Sequence, residues 1–240
     1  MGFAGRRIST GALSLDWLDG ACLEVSHRLD PGVLILRFDV PVDVAVPPSL
    51  LDSRDLQRAA RMHDRLEALR LLASHAALRS ILSAVYGYPD TQMEFVIDDR
   101  GKPRLAGDRA RFSISRSGAA VLIGVSESRD IGVDIERVGN VPELGHMART
   151  HLSDREYQAW RCGDAATADI RFLRFWTRKE ACVKAAGIGL ALPLRRVDVR
   201  CDLDHNPCFV DLRCGPHAWT AQVVSLPMPS GVVAAAAVIA

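Results

Sequence analysis

A pattern of one long helix followed by several short strands occurs twice along this chain of 240 residues. The first helical pattern covers residues 49–86, with a break near residue 62 or 63, and the second covers 153–161 and 168–187. Alternating apolar residues predict the strands. An apolar stretch at residues 32–40 precedes the first helix, and the other predicted strands cover residues 93–97, 111–115, 119–126, 131–136, 197–203, 208–214, 218–226 and 232–240.

This repeat predicts an α+β fold made of two similar subdomains, each with a long helix packed on a small antiparallel sheet. The halves are expected to meet near Ser128, which gives subdomains 1–128 and 129–240 and an intramolecular pseudo-dimer. The ends of the first helix carry local signals as well. Asp64 with Glu67 is similar to a capping box, and Gly87 stands where a C-cap glycine is expected.

Composition excludes several kinds of partner. The formal net charge of +1 gives no overall field that would attract nucleic acid or a membrane surface. With 48% hydrophobic and 25% charged residues and no apolar run near the roughly 20 residues of a membrane span, the chain is expected to be soluble and cytoplasmic. Its six cysteines include no CxxC pair, which argues against a redox or simple zinc motif.

One predicted strand, Ile131–Glu136, carries two acids. The period of two in a strand places Asp134 and Glu136 on the face opposite Ile131, Val133 and Ile135. Two carboxylates held about 7 Å apart along a strand suit Mg²⁺, a hard cation that keeps waters and shares phosphate oxygens. The same spacing also fits a half-buried strand whose acidic face is simply solvated.

The second helix contains a segment in which Trp176, Glu180 and Lys184 recur every four residues on one face. One interpretation is that a carboxylate and an ammonium line the wall of a site. The other is an ordinary Glu–Lys pair within the helix, which contributes only about 0.2 to 0.5 kcal/mol, with the tryptophan in the core.

Taken together, the segments IGVDIE and FWTRKEACVK resemble the Sfp-type 4′-phosphopantetheinyl transferases. The paired motifs of that family, G-[IV]-D-x-E and W-x-x-K-E-[AS]-x-x-K, are both matched without a gap. The resemblance runs from about Arg54 to the C-terminus. It implies transfer of 4′-phosphopantetheine from coenzyme A to a serine of an apo acyl or peptidyl carrier protein, with release of 3′,5′-ADP.

The resemblance also implies residue roles. Asp134, Glu136 and Glu180 would ligate Mg²⁺, for which Mn²⁺ could substitute, and Lys184 would contact the transferred phosphate. The chemistry agrees with these residue types, since pyrophosphate charge must be neutralised and a proton removed from the attacking serine. Glu180 is the candidate base, directly or through water. Coenzyme A is expected in the cleft between the halves of a monomer.

An arginine stripe lies upstream, at residues 54, 58, 61 and 65, with Arg70 just beyond it. Such a stripe is usually a solvated basic face. The resemblance implies that this region contacts the 3′-phosphate of coenzyme A through Arg58, Arg61 and Arg70.

Two further segments match the family between the helix and the acidic strand. Gly101-Lys102-Pro103 matches a G-K-P turn whose lysine lies near the coenzyme A phosphates, although it also fits a surface turn. Residues 112–117, FSISRS, correspond to the F-N-x-S-H-S of the family. Ser115 is kept as a hydroxyl donor, but Arg116 replaces the usual histidine. A guanidinium can keep a phosphate contact and cannot act as a neutral imidazole.

Two other classes of function stay open. A Mg²⁺-dependent phosphodiesterase or nuclease could use a D-x-E pair with a distant Glu and Lys, although the order of the motifs speaks against it. A non-catalytic module that binds coenzyme A or the carrier gains support only from Arg116. The sequence does not indicate whether the carrier serves fatty acid, polyketide or nonribosomal peptide synthesis.

Overall fold

The computed structural model describes residues 15, 17, 18, 29, 32–87, 93–107, 110–200 and 206–240. In chain order the helices and strands are β1 (Val33–Asp39), α1 (Ser53–Ala60), α2 (Arg65–Tyr86), β2 (Phe95–Ile97), β3 (Pro103–Leu105), β4 (Arg111–Ser117), β5 (Ala120–Ser126), β6 (Ile131–Arg137), α3 (Leu144–His151), α4 (Asp154–Arg161), α5 (Ala168–Ala186), β7 (Cys208–Cys214), β8 (His217–Leu226) and β9 (Val232–Ile239).

The first helix-on-sheet unit combines α2 with a three-stranded antiparallel sheet in the order β1–β5–β4. Ala77 and Ile81 of α2 share an apolar core with Phe38 of β1 and Val121 of β5. The break before α2 is confirmed, because α1 ends at residue 60 and Asp64 caps the new helix by accepting from two of its first N–H groups.

The other end of α2 is capped by Gly87, in the left-handed conformation at φ +70° that glycine adopts most easily. At the first turn, Glu67 forms an ion pair with Arg70. α2 is long and apolar enough by length and composition to cross a membrane, as core helices of soluble proteins also are, and half of that segment is buried inside the protein.

The second unit packs α5 on a four-stranded antiparallel sheet in the order β6–β9–β8–β7. Its core joins Phe172 and Val183 of α5 to Val210 and Val223 of the sheet. At Gly132 the strand touches the helix backbone, since an added Cβ would lie 2.1 Å from the Ala181 carbonyl oxygen. Glycine at this point of the motif therefore allows β6 and α5 to approach closely.

The two sheets also meet. A third apolar cluster joins residues of β1 and β5, such as Ile35 and Leu122, to residues of β6 and β9, such as Val133 and Val238. Helices, sheets and the antiparallel pairing confirm the predicted α+β class, with one long helix on each sheet. The division at Ser128 and the pseudo-dimer symmetry stay predictions; residues 127–130 connect β5 to β6.

One predicted strand is wrong. Residues 197–200 form no strand, and the rest of that segment lies outside the described residues. The main-chain groups that a strand would use are bound to side chains instead: the Val199 N–H donates to Glu156 at 2.8 Å, and the Val197 carbonyl accepts from Lys179. Arg200 also has a φ of +67°, outside the extended region.

Candidate active site

A cavity of about 610 Å³ lies where the two units meet. It is bordered by α1, α2, the turn between β2 and β3, the strand β4 and the end of α5. The chemically notable residues of its wall are Asp52, Arg54, Asp55, Arg58, His75, Arg79, Arg100, Lys102, Ser115, Arg116 and Lys184. Most of the charged groups are cationic, which suits a polyanionic ligand.

The acidic strand β6 runs beside β4 at one side of this cavity, and serine hydroxyls bridge the two strands. Ser115 donates to Asp134 Oδ1 at 2.8 Å, and Ser117 donates to Glu136 Oε2 at 2.7 Å. Ser113 accepts from the Val133 N–H at 3.1 Å. Alternate residues of β4 therefore face β6, so both carboxyls are directed towards hydroxyl groups rather than towards open solvent.

Asp134 is the most buried acid of the site, with 3% of its surface exposed. Its Oδ1 also accepts from the Lys184 ammonium at 2.6 Å. Burial raises the pKa of Asp134, and the opposing charge of Lys184 does not cancel that effect. Its Oδ2 is buried without a hydrogen-bond partner among the described residues. A free carboxylate oxygen of this kind is a natural ligand for a hard cation.

Glu136 and Glu180 complete the acidic group. Burial raises the pKa of each, and the neighbouring Asp134 charge raises both further. Glu136 is also held by a hydrogen bond with Trp176. Within the described part of the chain, no three His, Cys, Asp or Glu side chains are placed to hold a metal ion directly. The ligand set of Asp134, Glu136 and Glu180 thus stays a prediction, which the orphaned Oδ2 and the raised pKa values fit.

The helix α5 brings Trp176, Glu180 and Lys184 to the site. Trp176 packs edge-on against His151, with ring centroids 5.1 Å apart, and contacts Glu136. Lys184 crosses to Asp134 on β6 and also donates to Ser115 at 3.2 Å. These contacts favour the interpretation of this face as the wall of a site over that of a pair confined to the helix.

The arginines predicted to bind coenzyme A separate into two groups. Arg58 and Arg116 line the cavity. Arg116 donates to Ser74 at 2.9 Å, and burial followed by repulsion from Arg58 lowers its pKa. Arg61 and Arg70 are not among the described residues of the cavity wall. The predicted stripe is interrupted because the chain turns between α1 and α2 at residues 61–64.

Lys102 is largely buried at the edge of the cavity, and its ammonium points into the protein. It donates to the main-chain carbonyls of Ile131 and Ala185, both at 3.0 Å, and lies 3.7 Å from Asp130. Burial lowers the pKa of Lys102 to about 8. The predicted phosphate contact therefore competes with two main-chain acceptors and with the ion pair to Asp130.

Sequence reasoning missed one group in the cavity wall. The Asp55 carboxylate lies 2.5 Å from His75 Nδ1 and 3.8 Å from Arg79, which stacks over the Phe95 ring. Burial would raise the pKa of Asp55, but the bond to His75 and the two positive partners hold it below its usual range. The members come from α1 and α2, 20 residues apart, and no local spacing indicates that they meet.

The comparisons with known proteins agree with this geometry. The family described as the 4′-phosphopantetheinyl transferase superfamily matches residues 130–237, which run from β6 to β9. The 4′-phosphopantetheinyl transferase ffp of Bacillus subtilis is 31% identical over 173 residues, which are 68% of this chain and 76% of that protein. The chain thus belongs to the 4′-phosphopantetheinyl transferase superfamily, and the resemblance that its two motifs indicate is confirmed.

Two further relatives show how widely the similarity extends. The 4′-phosphopantetheinyl transferase HetI of Nostoc sp. is 36% identical over 146 residues, covering 59% of this chain and 61% of HetI. The L-aminoadipate-semialdehyde dehydrogenase-phosphopantetheinyl transferase of Homo sapiens is 25% identical over 158 residues, which are 61% of this chain and 50% of that protein. The predicted enzyme class, a transferase, is confirmed at the level of the superfamily.

Proposed function

We propose that this chain transfers 4′-phosphopantetheine from coenzyme A to a serine of an apo acyl or peptidyl carrier protein and releases 3′,5′-ADP. One observation carries the proposal: the cation-lined cavity ends at Lys184 and Ser115, which are also the hydrogen-bond partners of Asp134. A ligand that fills the cavity with its phosphates near Lys184 thus has its pyrophosphate beside the buried carboxyls. The volume is within the range of about 300 to 1,000 Å³ typical of ligand pockets.

The cavity wall offers two separate places for phosphate. Arg58 and Arg116 face the same space. Burial lowers the pKa of Arg116, and repulsion from Arg58 lowers it further. A terminal phosphate bound between them would relieve that repulsion through charge-assisted hydrogen bonds. Lys184 then remains for the pyrophosphate at the acidic end of the cavity.

We further propose Mg²⁺ as the metal, with Asp134, Glu136 and Glu180 as the residues that would hold it. A magnesium ion bound there would neutralise the pyrophosphate charge that develops in the reaction. Burial raises the pKa of each of the three carboxyls, and repulsion from the Asp134 charge raises those of Glu136 and Glu180 further. A divalent cation would relieve the same repulsion, so the carboxyls suit this metal electrostatically.

In the proposed reaction the serine oxygen of the carrier attacks the phosphorus that bears pantetheine. A new P–O bond forms, the bond to the oxygen of 3′,5′-ADP breaks, and the electron pair leaves with that oxygen. Glu180 accepts the serine proton, for which its raised pKa is suitable. Lys184 binds a non-bridging phosphate oxygen and stabilises the charge on it. The chain is proposed to act as a cytoplasmic monomer.

A test is incubation of the protein with coenzyme A, Mg²⁺ and several apo carrier proteins, followed by mass spectrometry. One added phosphopantetheine on the wild-type carrier, and none on a carrier whose acceptor serine is replaced by alanine, is the expected result. Cleavage of coenzyme A or of nucleic acid without a carrier would instead identify the phosphodiesterase. Tight calorimetric binding of coenzyme A without turnover would identify a binding module.

A further inference from the structure

The turn between β2 and β3 reaches across to the end of α5. Side-chain hydrogen bonds hold the turn: Asp98 Oδ1 accepts from the main-chain N–H groups of Arg100 and Lys102, at 3.0 and 2.9 Å, and Gly101 has a φ of +84°. The Lys102 side chain is 9% exposed. Its ammonium donates hydrogen bonds to the two carbonyls described above, and Asp130 at 3.7 Å adds an ion pair without a hydrogen bond.

The same turn completes the cap of α5. The last four carbonyls of a helix have no partner within it. In α5 the carbonyls of Val183 and Lys184 accept from main-chain N–H groups just after the helix. The other two accept from the turn: the Ala185 carbonyl from Lys102 at 3.0 Å and the Ala186 carbonyl from Arg100 at 3.4 Å. Positive charge at this end of a helix is favourable because it interacts with the helix dipole.

These contacts fix the two elements that form the acidic end of the site. Ala185 follows Lys184 directly on α5, and Ile131 opens the strand that carries Asp134 three residues later. Lys102 binds both carbonyls, so it holds the end of the helix against the start of the strand. The contact at Gly132 is close to this corner. A shift of α5 along β6 would therefore disturb the bonds to Lys102 together with the contact between Lys184 and Asp134.

We propose that Lys102, with Arg100, is a positioning residue that fixes α5 against β6 and thereby sets Lys184 and Glu180 relative to the strand carboxyls, instead of binding coenzyme A itself. The proposal deepens the proposed transferase function and rests on it. It assigns Lys102 a different role from the phosphate contact that the family resemblance implies.

Steady-state kinetics of Lys102→Met, which keeps the length of the side chain and removes its charge, separates the two roles. A misplaced helix should lower kcat by on the order of tenfold to a hundredfold and change the KM for coenzyme A little. Arg58→Met is the matched comparison, because Arg58 faces the cavity, and it should raise that KM with a nearly unchanged kcat. Lys102→Arg should recover part of the loss in kcat. A raised KM with normal kcat in Lys102→Met would overturn the proposal.

Amide hydrogen exchange gives a readout that does not depend on transfer. In Lys102→Met, peptides covering the end of α5 and the start of β6 should exchange faster than in the wild-type protein, whereas Arg58→Met should leave them unchanged. Unchanged exchange in Lys102→Met would refute the positioning role. If Lys102→Met does not fold, Arg100→Met should show the same changes at smaller size, and unaltered kcat and exchange there would count against the proposal. Absence of transfer by the wild-type protein would defeat the proposed function but leave the exchange test valid.

Discussion

Replacing Arg116 by alanine tests whether the cavity recognises a phosphate with this guanidinium. Arg116 is partly buried in the wall and bound to Ser74. Burial lowers its pKa, and repulsion from the nearby Arg58 lowers it further. A charge-assisted hydrogen bond to a phosphate contributes about 1.5 to 3 kcal/mol. Loss of that contact corresponds to roughly tenfold to a hundredfold weaker binding of coenzyme A.

The free protein should respond in the opposite direction. Arg116→Ala removes a buried charge and the repulsion with Arg58, so the unliganded variant should be no less stable than the parent in a urea titration. The expected combination is therefore weaker binding without loss of stability. Calorimetry measures the affinity for coenzyme A. The control is Arg213→Ala, on the exposed side of the edge strand β7, which should change neither this affinity nor the stability.

Arg116→His gives a further outcome that separates charge from shape. Imidazole titrates near neutrality and guanidinium does not, so coenzyme A affinity of the histidine variant should fall as pH rises between about 6 and 7.5. Arg58 of α1 and Glu67 of α2 are the charged groups that act on this position. If Arg116→Ala binds coenzyme A as the parent does, the inferred phosphate contact is wrong.

Three further predictions follow from the buried charges. Alanine at Asp134, Glu136 or Glu180 should lower the transfer rate by orders of magnitude while the protein stays folded, and excess chelator should abolish transfer by the parent. Near-normal activity of any of the three variants would contradict the metal assignment. Lys179→Met leaves the fully buried Glu156 carboxylate, which lies 2.6 Å from the Lys179 ammonium, without its cation. The free energy of unfolding in urea should fall by about 3 to 5 kcal/mol, and a fall below about 1 kcal/mol would be inconsistent with a buried ion pair. The pKa of Lys102 is about 8 in the folded state, lowered from 10.5, so the unfolded state binds more protons than the folded state between these two pH values. The free energy of unfolding should therefore rise with pH across this range in the parent but not in Lys102→Met.

Local patterns predicted the faces on which the candidate site residues lie, whereas their roles came from the resemblance of the two motifs taken together. The alternation of β6 placed Asp134 and Glu136 on the same face of the strand. The helical spacing of Trp176, Glu180 and Lys184 placed these three on the same face of α5. Each pattern is set within one element, so the sequence alone predicts it. The helix break before α2 and its end at Gly87 followed from capping and backbone preferences in the same way.

The remaining features depend on contacts between distant segments. The strand predicted at residues 197–203 failed because Glu156 and Lys179 occupy the main-chain groups of Val197 and Val199. Lys102 binds carbonyl oxygens, which every residue possesses, so no sequence pattern could identify its partners. The pairing of Asp55 with His75 required the packing of α1 on α2.

The serine bridges between β4 and β6 link ligand binding to the cohesion of the molecule. Ser115 and Ser117 hold the two sheets together through Asp134 and Glu136, the same groups that are proposed to hold the metal. Any ligand that changes the hydrogen bonding of these carboxyls also changes the free energy of the junction between the sheets. By thermodynamic reciprocity, a substitution at the junction alters ligand affinity by the amount by which its effect on stability differs between the free and the liganded protein. Affinity for coenzyme A and the stability of the junction between the sheets are therefore not independent properties of this protein.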